Sequence, residues 1–118
     1  MPMFMLLIYE DASQAYPQGD PRWQALWDAY VALDEATKAA GVFVASQPFM
    51  PSAHAETVTT RSGSLDVKSG VFRPGAHQLT GYYLLRCESI ELAREWAAKV
   101  PAAASGGAVE IRQVLELE

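Results

Sequence analysis

Met3-Phe4-Met5-Leu6-Leu7-Ile8-Tyr9 is apolar at every position, the pattern of a strand with no face in water. Successive strand side chains point to opposite sides, so Phe4, Leu6 and Ile8 line one face while Met3, Met5, Leu7 and Tyr9 line the other. The rest of the chain offers only two helical stretches. Two helices attached by right-handed crossovers pack on the same side of a sheet, which leaves its second side for a partner to cover. Three or four large apolar side chains left in water would forgo roughly 1.5–3 kcal/mol each, a sum comparable to a small domain's whole stability. A homodimer built face to face is therefore expected.

The bulk numbers bound the rest. At 118 residues the chain reads as one domain, residues 1–118, long enough for a core and too short for two. Half of it is hydrophobic and 19% charged, an ordinary globular composition rather than a disordered one. Nine basic against fourteen acidic residues give a net charge of −5. Without a basic cluster to offset phosphate repulsion, nucleic acid is not an expected partner. The opening run falls short of the 18 or more residues of a membrane span and lacks the basic flank of a secretion signal, so a cytoplasmic protein without membrane contact is expected. A single cysteine, Cys87, forbids an internal disulfide and reads as small buried filler in an apolar strand.

Working outward, residues 10–19 form a polar connection rich in turn formers. Asp20-Pro21 starts a helix, with Asp20 as N-cap. Trp23, Leu26, Trp27, Tyr30, Leu33, Thr37 and Ala40 then recur at three- and four-residue steps as its inner face, and Gly41 closes it. Val42 to Ser46 reads as a second strand, ended by Pro48 and Pro51. Glu56–Arg61 and Ser64–Val67, joined by Ser62-Gly63, read as a hairpin at a sheet edge. After a loop at 69–77, Gln78 to Cys87 returns to a strand whose Tyr82-Tyr83-Leu84-Leu85 is again apolar on both faces, hence central. Ser89 caps a second helix with Ile90, Ala93, Trp96, Ala97 and Val100 inward, which Pro101 stops. Residues 102–107 read as a flexible link. In a final strand, Val109, Ile111, Leu115 and Leu117 alternate with Glu110, Arg112, Glu116 and Glu118. Gln113 and Val114 break that alternation, by a bulge or by a partner contact for Val114. The order β-α-β, hairpin, β-α-β is that of a ferredoxin-like α+β domain. Its open sheet face invites a second copy, in a dimeric α/β barrel or a face-to-face sheet dimer.

Several stretches also carry a likeness. The run Met3–Tyr9, Ala39-Ala40-Gly41-Val42, the segment Gly70 to Tyr83, and Glu95-Trp96-Ala97-Ala98-Lys99-Val100-Pro101-Ala102 followed by residues 106–112 resemble bacterial YCII-related proteins of the DGPF type. The resemblance spans nearly the whole chain. It implies a dimeric ferredoxin-like fold, a small cytoplasmic protein, and a family of largely unassigned biochemistry, some of whose members lie beside extracytoplasmic-function sigma factors. Muconolactone isomerase and small cofactor-free monooxygenases are distant relatives by fold, an analogy that says little about function. Where the family reads Asp-Gly-Pro-Phe, this chain has Ser69-Gly70-Val71-Phe72, without the carboxylate and the proline. The resemblance also implies an acid/base pair, a helix-borne histidine and an aspartate before a proline. Tyr30 and Val100 occupy those positions, so catalysis by that pair is not expected.

The chemistry left to the residues is sparse. His54 and His77, in loops flanking the sheet, are candidate proton carriers near neutral pH; with no flanking carboxylate, a solvated or packed loop histidine is the simpler reading. Metal spacing is lacking, and no metal or cofactor is expected. Arg61 and Arg73 are candidate anion holders, Arg61 at the end of an exposed strand. Tyr30 points at the sheet from its helical stripe, either as a phenol able to orient a carbonyl or as plain core. Trp23 and Trp27 read as packing. Phosphate loops, nucleophile elbows and cysteine pairs are missing. The leading expectation is a dimeric module that binds a small apolar or aromatic molecule, touching Tyr30, Phe72, His77 and Tyr82, with Arg61 as an anion contact. The alternatives are a cofactor-free isomerase- or monooxygenase-like enzyme with a loop histidine as base, and a regulatory interaction protein.

Overall fold

The computed structural model describes residues 1–117. Strand β1 (Met3–Asp11) leads through a helical turn at Ala12–Gln14 to helix α1 (Pro21–Ala39), then β2 (Phe43–Pro48), a turn at Ser52–His54, the hairpin β3 (Glu56–Arg61) and β4 (Ser64–Ser69), β5 (His77–Arg86), α2 (Ile90–Ala98), α3 (Pro101–Ala104) and β6 (Ala108–Gln113). Four strands form one sheet in the order β2-β5-β1-β6, every neighbouring pair antiparallel. Each helical crossover steps over one intervening strand, and the result is the ferredoxin-like α+β fold. Glu118, which the alternation of the last strand included, lies outside the described residues.

The doubly apolar segments take the centre, β1 beside β5. Phe4, Leu6 and Ile8 are buried with Tyr83, Leu85 and Cys87 under Leu33, Ala93, Ala97, Val100 and Ala102 of the helices. Each large side chain enclosed there contributes roughly 1.5–3 kcal/mol. Met3, Met5, Leu7, Tyr9, Tyr82 and Leu84 face the other way and are only half-buried.

Local signals set the helix ends. Asp20 accepts from the Arg22 backbone N–H at 2.8 Å, and Ser89 accepts from that of Leu92 at 3.3 Å, the side-chain caps of α1 and α2. At the other end of α1 the Gly41 N–H donates to Lys38 O and the Val42 N–H to Thr37 O, each at 3.1 Å, a Schellman closure. Buried Thr37 is satisfied by donating to Leu33 O at 2.9 Å.

Four expectations are corrected. Pro101 does stop α2, yet it also begins α3 at a position where its missing N–H has no partner to lose; the link read at 102–107 is thus partly helical. The hairpin is not an edge of the main sheet but a separate two-stranded one. Strand β6 ends at Gln113, and Leu115 and Leu117 are exposed, so the flaw in the alternation is the strand's end. Half-buried Val114 donates its N–H to Met3 O at 2.8 Å, a contact within the chain. Finally, Trp27 is 47% exposed and stacks on Trp23, ring centroids 5.5 Å apart, so the two rings shelter each other instead of facing the core.

Gly107 sits where α3 meets β1. A Cβ there would run into the Tyr9 carbonyl oxygen and reach within 3.0 Å of Ala102 O, backbone groups that cannot move aside independently. Gly107→Ala should therefore destabilise by about 2–3 kcal/mol, in the range of overpacked interiors, and lower the thermal midpoint by roughly 10 °C. Thermal unfolding followed by circular dichroism checks this.

Candidate functional site

The sheet divides the polar chemistry into two places. Over one end of the open face, residues 49–58 and 71–73 overhang Tyr9, His77 and Leu79, enclosing a groove of about 710 Å³. Phe49, Met50, Val58, Val71 and Phe72 supply apolar walls; His54, Arg73 and His77, together with Glu56, Thr57 and Gln78, bring polar groups. Phe49 is tilted against Tyr82, centroids 6.1 Å apart. His77 opens β5 opposite Asp11, and its Nε2 lies 3.0 Å from Gly106 O. The Ser13 hydroxyl and backbone N–H, both donating to Asp11, hold that carboxyl below its ordinary range, with a smaller contribution from His77.

The rim is set by the stretch Ser69-Gly70-Val71-Phe72. Gly70 adopts φ +105°, a conformation that side chains disfavour. Its N–H donates to Ala55 O at 2.7 Å, and the Thr57 hydroxyl donates to Gly70 O at 2.9 Å. These bonds seat the root of the hairpin and leave Phe72 on the rim, 70% exposed, with the Arg73 guanidinium 5.7 Å from its ring centroid.

The second place lies on the opposite, helix-covered face. Glu10 continues the parity of Phe4, Leu6 and Ile8 beyond the apolar run. Its Oε1 accepts from the Thr80 hydroxyl at 2.6 Å and from the Tyr30 hydroxyl at 3.4 Å. Thr80 is the extra residue of a bulge, since Ile8 pairs with Gly81 and Tyr9 with Leu79, and the bulge turns its side chain toward Glu10. Beside them the Tyr83 hydroxyl donates to Asp34 Oδ1 and lies 3.3 Å from Tyr30 O. Burial first, then Glu10, drives the Tyr30 phenol well above its ordinary value. Burial and the Asp34 bond do the same for Tyr83. Val100 is buried in the core.

The residues expected to share one site are thus partly separated. Phe72, His77 and His54 meet in the groove, and Tyr82 reaches it through Phe49. Tyr30 is across the sheet, and Arg61 closes β3 at the hairpin turn, exposed. Glu10, Asp34, Thr80, Phe49 and Met50 were not singled out from the sequence. Strand parity alone could have placed Glu10 under α1. The bulge that delivers Thr80 leaves no mark in residue type. Among the described residues, no three His, Cys, Asp or Glu side chains are grouped to hold a metal ion, and no helix is long and apolar enough to cross a membrane.

A family model described as the YCII-related domain matches residues 2–118. Comparison with curated proteins finds no match.

The buried phenols give a signed alkaline effect. Above the ordinary tyrosine value near 10, the unfolded chain releases phenolic protons that folded Tyr30 and Tyr83 retain. Stability is therefore full below that pH and declines as pH rises toward the raised folded values. Denaturant midpoints measured from pH 9 to 11 should fall for the wild type and fall less steeply for Tyr30→Phe and Tyr83→Phe.

Proposed function

The chain belongs to the YCII-related family, and from that membership and the groove over its open sheet face we propose that the protein is a homodimeric module for a small aromatic molecule bearing an acidic or hydrogen-bonding group. The observation that carries the reading is the lining of the groove: apolar and aromatic walls from Tyr9, Phe49, Met50, Val58, Phe72 and Leu79, with Arg73, His54 and His77 outnumbering the one carboxylate, Glu56, along it. Its volume, about 710 Å³, is of the size that takes one small ligand. Aromatic walls bury a ring, while a guanidinium and imidazoles orient a carboxylate or carbonyl. The half-buried face beside it, Met5, Leu7, Tyr82 and Leu84, gains its remaining cover from a second copy. We place the protein in the cytoplasm, on its acidic composition and single cysteine.

A thermal-shift series with benzoate, salicylate and indole as probes tests the binding. At 100 times its Kd a probe should stabilise by about 2.7 kcal/mol. Phe72→Ala should weaken binding roughly tenfold, the loss expected for one aromatic contact, and Tyr30→Phe, across the sheet, should leave it unchanged. Probes that never move the midpoint, or a loss with Tyr30→Phe instead, would overturn the assignment of the ligand to this groove.

One observation favours a second reading, a cofactor-free isomerase-like reaction with His77 as base. The 3.0 Å contact between His77 Nε2 and Gly106 O orients the ring, and in the neutral tautomer that donates there Nδ1 is the nitrogen that takes a proton from a bound substrate. His77→Gln should then remove turnover of any substrate found by about 100-fold or more, the usual worth of a general base, while calorimetry still detects binding.

A further inference from the structure

The hairpin β3–β4 stands apart from the rest of the fold. Val58 lies opposite Val67 and Thr60 opposite Leu65, so Val58, Leu65 and Val67 share one face of the ribbon. None is buried: Val58 is 55%, Leu65 68% and Val67 50% exposed. The charged residues Arg61, Asp66 and Lys68 belong to the other face, and Glu56, at the root of the ribbon, shares the apolar one. A two-stranded ribbon alone in water is marginally stable at best, and this one joins neither edge of the four-stranded sheet. The radius of gyration, 16.1 Å, exceeds the roughly 13.5 Å of a compact chain of this length. The extents, 46 × 46 × 19 Å, describe a slab.

The ribbon's apolar face runs into the groove through Val58, and so toward exposed Phe49, Met50, Phe72 and Leu79. Together these seven side chains expose on the order of 700 Å² of largely apolar surface, taking the usual areas of large side chains. That is above the roughly 300–600 Å² patch of an ordinary monomer and near the ~800 Å² per partner of a stable interface. Charge selects the occupant. The apolar face of the ribbon carries a single charge, Glu56, whereas the whole chain carries −5. Two copies can meet along this face while most of their excess negative charge stays apart.

We propose that residues 56–69 form a clasp that seats its Val58–Leu65–Val67 face on a second copy of the same chain, the two ribbons related by a two-fold axis. The clasp rests on the dimeric part of the function proposed above and extends the half-buried sheet face into one continuous interface. Sedimentation velocity over a dilution series of the full-length protein tests it against the double substitution Leu65→Glu with Val67→Glu, accompanied by hydrogen exchange on the wild type. The expected result is a wild-type dimer, at least 100-fold weaker association of the double variant with an unchanged helical circular dichroism signal, and wild-type amide protection at 56–69 that rises with protein concentration. A variant that dimerises as well as the wild type would overturn the clasp while leaving the dimer intact. A wild type that stays monomeric at every concentration would overturn both. Should the variant fail to fold, the exchange data decide alone: protection at 56–69 independent of concentration rejects the clasp.

Discussion

The antiparallel pairing of β1 with β5 is the constraint from which the rest follows. Both strands are apolar on both faces, and nothing in either can be turned to water without a penalty. The helices settle one side, where Phe4, Leu6, Tyr83 and Leu85 are enclosed to within a few per cent of full burial. On the other side Met5, Leu7, Tyr82 and Leu84 have one another and, for Tyr82, Phe49 as cover, and remain half-buried. Half-burial of four such side chains leaves several kilocalories of apolar transfer ungained, at roughly 25 cal/mol per Å². The strength of the sheet and its incompleteness thus have one source.

The same alternation sorts the chemistry. Tyr9 and Glu10 are neighbours in sequence, yet their side chains fall on opposite sides of the sheet. Tyr9 meets His77 and Leu79 at the groove; Glu10 meets Tyr30 and Thr80 beneath α1. The helix-side cluster is saturated, each hydroxyl already donating to a carboxylate, and its phenols are held protonated far above neutral pH. A group in that condition fixes the position of α1 on the sheet. In the groove, by contrast, Arg73, His54 and His77 line open space, which is where a ligand needs donors and acceptors.

Legibility in the sequence followed locality. Caps depend on two or three adjacent residues, so Asp20, Gly41 and Ser89 could be assigned from residue type alone. Central strands follow from uninterrupted apolar runs. What escaped was decided by non-local geometry. Pro101 obeys two rules at once, ending one helix and beginning another, and only the path of the chain after Lys99 selects between them. The hairpin's strands were plain in their alternation, whereas their separation from the main sheet depends on residues 49–55 and 70–76 leading the ribbon away. Tyr30 was rightly aimed at the sheet; its distance from Phe72 and His77 reflects which face of the sheet it reaches. Arg61 was placed at an exposed strand end, and there it is.

The Ser69-Gly70-Val71-Phe72 stretch bears on how the groove is held. Val71 does not fix its own φ as a proline would, so the rim is positioned by hydrogen bonds, and the bonds of Gly70 to Ala55 and Thr57 do this from the root of the hairpin. The ribbon and the rim therefore share one anchor: β4 ends at Ser69, and Phe72 follows three residues later. In the proposed dimer, whatever grips Leu65 and Val67 holds the far end of the lever whose near end carries Phe72 over the groove.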